Sequence, residues 1–444
     1  MAVRGSLIDL DIQDIVSNTN PHKKDRSLEI ILHTENKDIP IEYLKLYEVM
    51  RNYSKYVGDY IVITFNMLGG EFIEDVYPYR DNLELTVIET SPYTDEITSN
   101  IRYKFVMINN NANVYGSEYT MAQREELNRT KIIRVEGQLI DRAVEGLRML
   151  QVEGIYRNQT IKDILLAEFK EKIDTLQLDG ASLDVNIDIV EPSNTSTVSQ
   201  MVLPTGVYLL DFPSYLQHSI YGVYNADIGT YVQRIDDKIN IFIYPLCDPN
   251  RFDSVDKKAM VFFTNNIRYN SVDNTFKQDG GILKILAGTS LRSLDNAEND
   301  FISEGSGYIK AYPQQMINRN VMVTDDSLTF DSTANLEGTK FKERKDGADR
   351  PIYVGNEVNM YKYRSVMTRR MMGLYQFQWH YSTADRFYPG MPVQYIYEDK
   401  YGKLMQLEGT IQVVYSKYDK VLETTSTMIT FLAKKPIVYE VEAT

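Results

Sequence analysis

The residues of this chain that could do chemistry are few and scattered. Its four histidines, His22, His33, His218 and His380, stand far apart, and none has a partner at metal-ligand spacing. Each therefore reads as a surface or structural histidine. Cys247 is the single cysteine and sits between Leu246 and Asp248, without a basic neighbour. A lone cysteine excludes an intramolecular disulfide and a multi-cysteine metal site, and this one is predicted to be buried and inert. Asp9, Asp11 and Asp14 alternate with Leu10 and Ile12, which reads as a solvated face. They lack the glycine and downstream glutamate of a calcium loop. The sequence contains no Walker A loop, no dinucleotide fingerprint and no Gly-x-Ser-x-Gly elbow, and Gly305-Ser306-Gly307 reads as a turn. Among 62 acidic residues a carboxylate pair suited to glycoside cleavage can arise by chance, and nothing singles one out. No catalytic residue, no cofactor and no metal is predicted.

The strongest chemical signal is aromatic instead. Leu203–Phe252 holds nine aromatic residues in fifty, six of them tyrosine, set among Gly, Pro and Asp at turn positions. Tyrosine joins a large apolar ring to a polar tip, so it suits half-buried and subunit-facing positions. The segment exceeds what one strand–helix unit needs for its own core. Tyr208, Phe212, Tyr215, Tyr221, Tyr224 and Tyr231 are therefore candidate interface residues.

Composition narrows the class further. The chain of 444 residues is long enough for two to four domains, with 43 % hydrophobic and 25 % charged residues. A net charge of −14 argues against sequence-specific DNA binding, which needs a basic face. The opening MAVRGSLIDLDIQD has acids where a signal peptide needs an apolar run, and no window reaches the length of a membrane helix. No membrane insertion is expected, and the chain is expected to mature in a cytoplasm.

The elements that must position these residues are mostly strands. Ser27–His33, Tyr60–Met67, Leu83–Thr90 and Ile101–Ile108 are rich in β-branched and aromatic residues and bounded by turn residues. Lys131–Leu139 and Ala143–Tyr156 read as a further strand pair around Asp141. These make an N-terminal β-barrel-like unit over 1–157. Thr160 is a predicted N-cap, with Asp163 at the third helical position. Ile161, Ile164, Leu165, Phe169 and Ile173 follow on one face. A second short helix is predicted near 211–220, and Glu191–Gln200 reads as a polar loop. Strands resume at Tyr231–Arg234, Ile239–Tyr244 and Lys258–Thr264, which closes an α+β unit over 158–265. Residues 266–350 form a connecting region, whose mixed-charge run Lys340–Arg350 is predicted to be a mobile loop. Gly373–Tyr381, Pro392–Glu398, Lys403–Tyr415 and Thr424–Ala433 build a C-terminal β-unit over 351–444. Its hairpin turn is Asp399-Lys400-Tyr401-Gly402. The fold class is β-rich α+β.

Three segments together resemble one family. They are Arg134–Phe169, read as a strand pair running into a helix; the aromatic stretch with SYLQ, GVYNADIGTYVQ and FIYPLCDPNRF; and Tyr361–Tyr397, where Tyr388-Pro389-Gly390-Met391-Pro392-Val393 precedes a hairpin. Their order resembles the baseplate hub proteins of contractile-tailed bacteriophages, which are similar to the hub part of type VI secretion spikes. The resemblance spans about residues 130–440 and is topological and aromatic rather than catalytic. It implies two tail-tube-like antiparallel β-barrels with smaller α+β insertions. It implies a homotrimer forming a pseudo-sixfold ring, with a tail tube or tube-initiator protein on one side and a central spike protein on the other. Baseplate wedge proteins are the implied outer neighbours.

The function expected is structural: a virion protein at the centre of a tail baseplate, assembled in the host cytoplasm, leaving a channel for DNA that passes without specific binding during genome ejection. No covalent chemistry is expected. The rivals are another tail or baseplate protein, such as a wedge or distal tail protein, and a carbohydrate-binding or carbohydrate-cleaving tail protein. Residues 1–100 hold 18 acidic against 9 basic residues. If the chain rings a channel, either part of that excess lines it and repels phosphate over a Debye length of about 10 Å at 0.1 M salt, or the acids keep the outer surface soluble.

Overall fold

The computed structural model describes residues 12–16, 26–90, 97–108, 131–178, 181–182, 184–235, 238–264, 276–294, 372–380, 386–421, 423–434 and 436–439, with short isolated stretches between 322 and 369. Residues 341–350, which carry most of the expected mobile loop, lie outside the described residues.

Strands β1 (Ser27–His33), β2 (Asp38–Pro40), β3 (Tyr43–Asn52) and β4 (Tyr60–Leu68) come first. A helical connection over 69–79 leads to β5 (Glu84–Thr90), β6 (Ile97–Met107) and β7 (Ile132–Ile140). Helix α1 (Arg142–Met149), strand β8 (Gly154–Thr160) and helix α2 (Ile161–Asp174) follow. Next are β9 (Val185–Ile189), β10 (Thr197–Leu203), helix α3 (Phe212–His218), β11 (Ile228–Ile235) and β12 (Lys238–Pro245). The last are β13 (Lys258–Phe263), β14 (Phe276–Asp279), β15 (Ile282–Leu286), β16 (Gly373–His380), β17 (Pro392–Glu398), β18 (Leu404–Asp419) and β19 (Thr424–Ala433).

The protein is β-rich, with few helices and one large mixed sheet of 16 strands. Its main path runs β14-β15-β13-β17-β18-β3-β4-β7-β6-β5-β1-β2; β19 branches from β18, and β16 pairs with β19. The sheet is mixed where an antiparallel one was expected, because β13 runs parallel to both β15 and β17.

Strand β18 joins the two ends of the chain. Its residues 404–410 pair with β17, and 413–418 pair with β3. Along its other edge, 409–419 pair with β19. The register shifts between Ile411 and Val413, so Gln412 is the extra residue of a bulge. Its side-chain amide donates to the Leu246 carbonyl at 2.6 Å, and its own carbonyl accepts from the Tyr53 N–H at 2.9 Å. The bulge thus sits where β18 exchanges one partner for the next.

Three large apolar cores, and a small fourth around Ile12, Ile15, Phe262, Leu286 and Ile396, are seen among the described residues. Trp379, Phe377, Tyr395 and Phe431 centre the first, among β13 and β15–β19. Leu28, Ile30, Ile63, Phe65 and Phe105 fill the second, among β1–β7, and β18 contributes Tyr418 to it. The Tyr418 hydroxyl donates to the Arg26 carbonyl at 3.2 Å, and the Lys420 ammonium to the Leu28 carbonyl at 2.8 Å. Side chains therefore link the end of β18 to the start of β1. The third core gathers α1, α2 and α3 against β10, β11 and β12. Thr160 caps α2 by accepting from the Asp163 N–H at 3.2 Å, and Ile161, Ile164, Leu165 and Phe169 are fully buried.

Two local expectations are corrected. Ala143–Tyr156 is not a strand: residues 142–149 are α1, and a strand begins only at Gly154. Asp141 accepts from the Ala143 N–H at 2.8 Å and starts the helix, and Ala143 and Leu147 share its buried side one turn apart. Glu191–Gln200 is not wholly a loop, because Thr197–Leu203 pairs antiparallel with β8. Met201 and Leu203 are buried on one side of it, with Gln200 and Val202 exposed on the other. Strand β3 is an addition: its alternation is blurred by Lys45 and Glu48, and pairing with both β4 and β18 fixes it.

Candidate interaction surfaces

One candidate surface is the face of the sheet turned away from the cores. Successive strand residues point to opposite faces. Register places Met428, Tyr415, Met50 and Tyr60 in one row across β19, β18, β3 and β4. The next row is Ser426, Lys417, Glu48 and Val62, continued over β7 and β6 by Gln138 and Val106. A third row holds Tyr43, Asn66 and Arg134. Charges on this face come in opposite pairs: Lys417 with Glu48 at 3.7 Å, and Arg134 with Glu136 at 3.5 Å. Burial, together with a hydrogen bond to the Glu48 carboxylate, pushes the Tyr415 phenol up. Such a face offers polar contacts of both signs without a run of cations to grip phosphate. Of the acids in residues 1–100, Glu48 lies on this face, opposite Lys417.

The aromatic segment divides in two. Phe212, Tyr224 and Tyr231 are at most 1 % exposed and pack inside the protomer. Tyr224 donates to the Val190 carbonyl, and Tyr231 donates to Asp59 at 2.8 Å. Burial raises the pKa of both phenols. Tyr208 and Tyr215 remain at the surface, 43 % and 38 % exposed. Tyr221 is half-buried beside Tyr215. An interface built from this segment therefore rests on Tyr208, Tyr215 and Tyr221. Ile155 and Val202 add a facing pair on β8 and β10, 60 % and 58 % exposed. Reading Thr197–Leu203 as a strand is the signal that would have found Val202.

The titratable groups are spent on structure. His33 Nδ1 lies 2.6 Å from Asp38 and its Nε2 2.7 Å from the Thr86 hydroxyl. That is the spacing of an acid–base relay, but Thr86 is mid-strand and 9 % exposed, so an attacking hydroxyl has no approach. The three groups tie β1, β2 and β5 together. His33 also borders a cleft of about 600 Å³, in which Glu84 is shared by Arg102 and Arg142, and Lys104 meets Glu145 at 2.8 Å. His218 Nδ1 lies 2.8 Å from the Ser214 carbonyl oxygen one helical turn back, and burial lowers the pKa of His380. His22, Asp9 and Asp11 lie outside the described residues. Asp14 pairs with Lys277 at 2.7 Å. Cys247 is fully buried, and burial pushes its thiol up to about 12. Among the described residues no group of three or more His, Cys, Asp or Glu could hold a metal, and no helix is long and apolar enough to cross a membrane.

No protein-family model matches the chain, and no curated protein matches it. Solved structures do. The 43 kDa tail protein of prophage MuSo2 from Shewanella oneidensis is 11 % identical, with a TM-score of 0.45 over 91 % of this chain and 96 % of that one. A tail protein from Neisseria meningitidis MC58 is 10 % identical, with a TM-score of 0.43 over 91 % and 96 %. The E. coli c3393 protein, described as a type VI secretion component similar to the phage T4 tail proteins gp27 and gp5, is 12 % identical. Its TM-score is 0.40, over 92 % of this chain and 77 % of that one. These neighbours are phage tail and type VI secretion proteins, the group that the three sequence segments resemble. At such identities and TM-scores they do not bear on what this chain binds or builds.

Proposed function

We propose that the chain is a structural protein of a phage tail baseplate and forms its central hub. The observation that carries this reading is the outward sheet face, wide, continuous across β19, β18, β3, β4 and β7, and balanced in charge. A channel wall for duplex DNA must not hold phosphate, and DNA carries one negative charge per roughly 1.7 Å of its axis. Paired charges among uncharged polar and apolar side chains meet that need. In this proposal the strands around the first and second cores act as two tube-like barrels that share β18. Three copies then present six such units around a lumen. The sequence boundaries 1–157, 158–265, 266–350 and 351–444 are the proposed division. Tyr208, Tyr215 and Tyr221, with Ile155 and Val202, supply contact surface to neighbouring copies or to the tube, spike and wedge partners.

Antibody labelling of intact particles tests the placement. Label is expected at the distal end of the tail, and particles that carry none overturn the reading. Light scattering of the purified chain, alone and with the spike that co-purifies, tests the ring. A trimer is expected in at least one of the two. Only monomer in both samples and in dissociated particles removes the trimer while leaving a tail role standing.

A further inference from the structure

The free edge of a strand offers N–H and C=O groups to any further strand, and proteins guard such edges with proline, charge, bulges or extreme shortness. Several edges here are guarded in these ways. β2 has three residues and ends in Pro40. β14 has four and carries Lys277 and Asp279. β9 exposes Asp188. β8 pairs only with β10 among the described residues, and its run is broken by Gly154 at φ 131° and Asn158 at φ 51°, with Arg157 exposed between them. β10 lacks every such guard. Its seven residues, Thr-Val-Ser-Gln-Met-Val-Leu, hold no proline, glycine or charge. It keeps one register on β8 from Thr197↔Thr160 to Leu203↔Gly154, and among the described residues no strand pairs with its other edge. Thr197, Ser199, Gln200 and Val202 are exposed along it.

The outward side chains of β10 select the strand that fits it. Val198, Gln200 and Val202 share the outer face, and this pattern reads the same in both directions about Gln200. A second β10 laid antiparallel, with Gln200 opposite Gln200, places Val198 opposite Val202 on both sides of the axis. The register of β8 then fixes the rows across four strands. One row is Ile155 and Val202 of the first copy, then Val198 and Gln159 of the second. It extends the exposed Ile155–Val202 pair by one more valine. The central row is Arg157, Gln200, Gln200 and Arg157. Its two arginines stand three strand spacings apart, about 14 Å, which exceeds the Debye length of about 10 Å at 0.1 M salt. No like charges meet at the axis.

We infer that two copies of this chain pair edge to edge through β10, in a continuous four-stranded sheet β8–β10–β10–β8 with its two-fold axis at Gln200. The contact sets one surface against itself, whereas a ring of three copies needs a head-to-tail contact between two different surfaces. The pairing therefore stands or falls apart from the hub reading.

Cysteine scanning of the full-length chain tests the register. Residues directly opposite in an antiparallel pair have Cα atoms about 4.5–5.5 Å apart, within disulfide reach. The native Cys247 is fully buried, so the parent chain serves as the blank. Gln200→Cys is expected to cross-link to itself under mild oxidation and to run at twice the chain mass without reductant. Val198→Cys alone and Val202→Cys alone are expected to stay single, and the two mixed are expected to cross-link. Sedimentation equilibrium gives the second readout: Gln200→Lys sets two like charges on the axis and should weaken the dimer about tenfold. Position 200 is exposed, so the folded chain itself is spared. A Gln200→Cys protein that never cross-links, or a Val198→Cys protein that cross-links alone as readily, overturns the pairing. So does a parent chain whose self-association is the same as that of Gln200→Lys.

Discussion

Tyr231 donates its hydroxyl to the Asp59 carboxylate at 2.8 Å across 172 residues of sequence. The same carboxylate receives Arg51 Nε at 3.2 and 3.1 Å. One acid thus fastens β11 of the helical unit to the loop between β3 and β4. Arg234 reinforces the joint by binding Asp141, the cap of α1, at 2.8 Å. The Arg51 guanidinium is nearly buried. Losing its counter-charge therefore costs more than the pair is worth.

Asp59→Ala should lower unfolding stability by about 3 kcal/mol. Tyr231→Phe should lose about 1 kcal/mol, because it removes one hydrogen bond and keeps the ring. Urea denaturation of the two variants checks the ranking. Equal losses would mean that Arg51 does not depend on Asp59.

Gly409 is held by close backbone approach. A Cβ there would sit 1.9 Å from the Leu432 carbonyl oxygen, where β18 meets β19. Gly409→Ala must push the two strands apart and should cost at least about 1–3 kcal/mol. A denaturation midpoint unchanged from the parent's would show that the pair gives way freely.

Glu168 is fully buried, accepts from the Tyr156 hydroxyl at 2.8 Å, and has no hydrogen-bond partner at Oε2. Burial raises its pKa above the ordinary glutamate value of 4.5. In the folded state the group therefore holds its proton at a pH where the unfolded chain has released it. Its favourable contribution is complete below the unfolded pKa and is lost as pH rises through the folded one. Glu168→Gln keeps an acceptor for Tyr156 and has no charge to bury. Its stability relative to the parent should improve between pH 4 and pH 7. A difference that is the same at both pH values contradicts the assignment.

Cys247 should resist labelling in the fold. With its thiol pushed up to about 12, only about 10⁻⁴ of it is thiolate at pH 8. Ellman's reagent is expected to find no thiol in the native protein and one per chain in urea. Rapid native reaction would place Cys247 at the surface.

Local signals alone determined much of the fold. The runs Ser27–His33, Pro392–Glu398 and Thr424–Ala433 are strands with the limits that their β-branched and aromatic residues set. The Thr160–Asp163 cap and the apolar face behind it define α2, since capping and helical period act within one or two turns. The burial of Cys247 follows from the apolar run that leads into it.

Tertiary structure decided what depends on partners far apart in the chain. Residues 142–149 have apolar spacing that two readings share, and the Asp141 cap made them helix. Which of the six candidate aromatics stay outside is set by packing: Tyr231 lies against Asp59 and Tyr53, whereas Tyr215 stands on the exposed side of α3. Strand β18 carries no mark that its edge passes from β17 to β3 at Gln412, because sheet order is a relation between segments and no segment contains it. The balanced charge of the outward face is likewise a product of register. Lys417 faces Glu48 only because β18 and β3 are paired as they are, and a shift of β18 by one residue would turn Lys417 to the opposite face from Glu48.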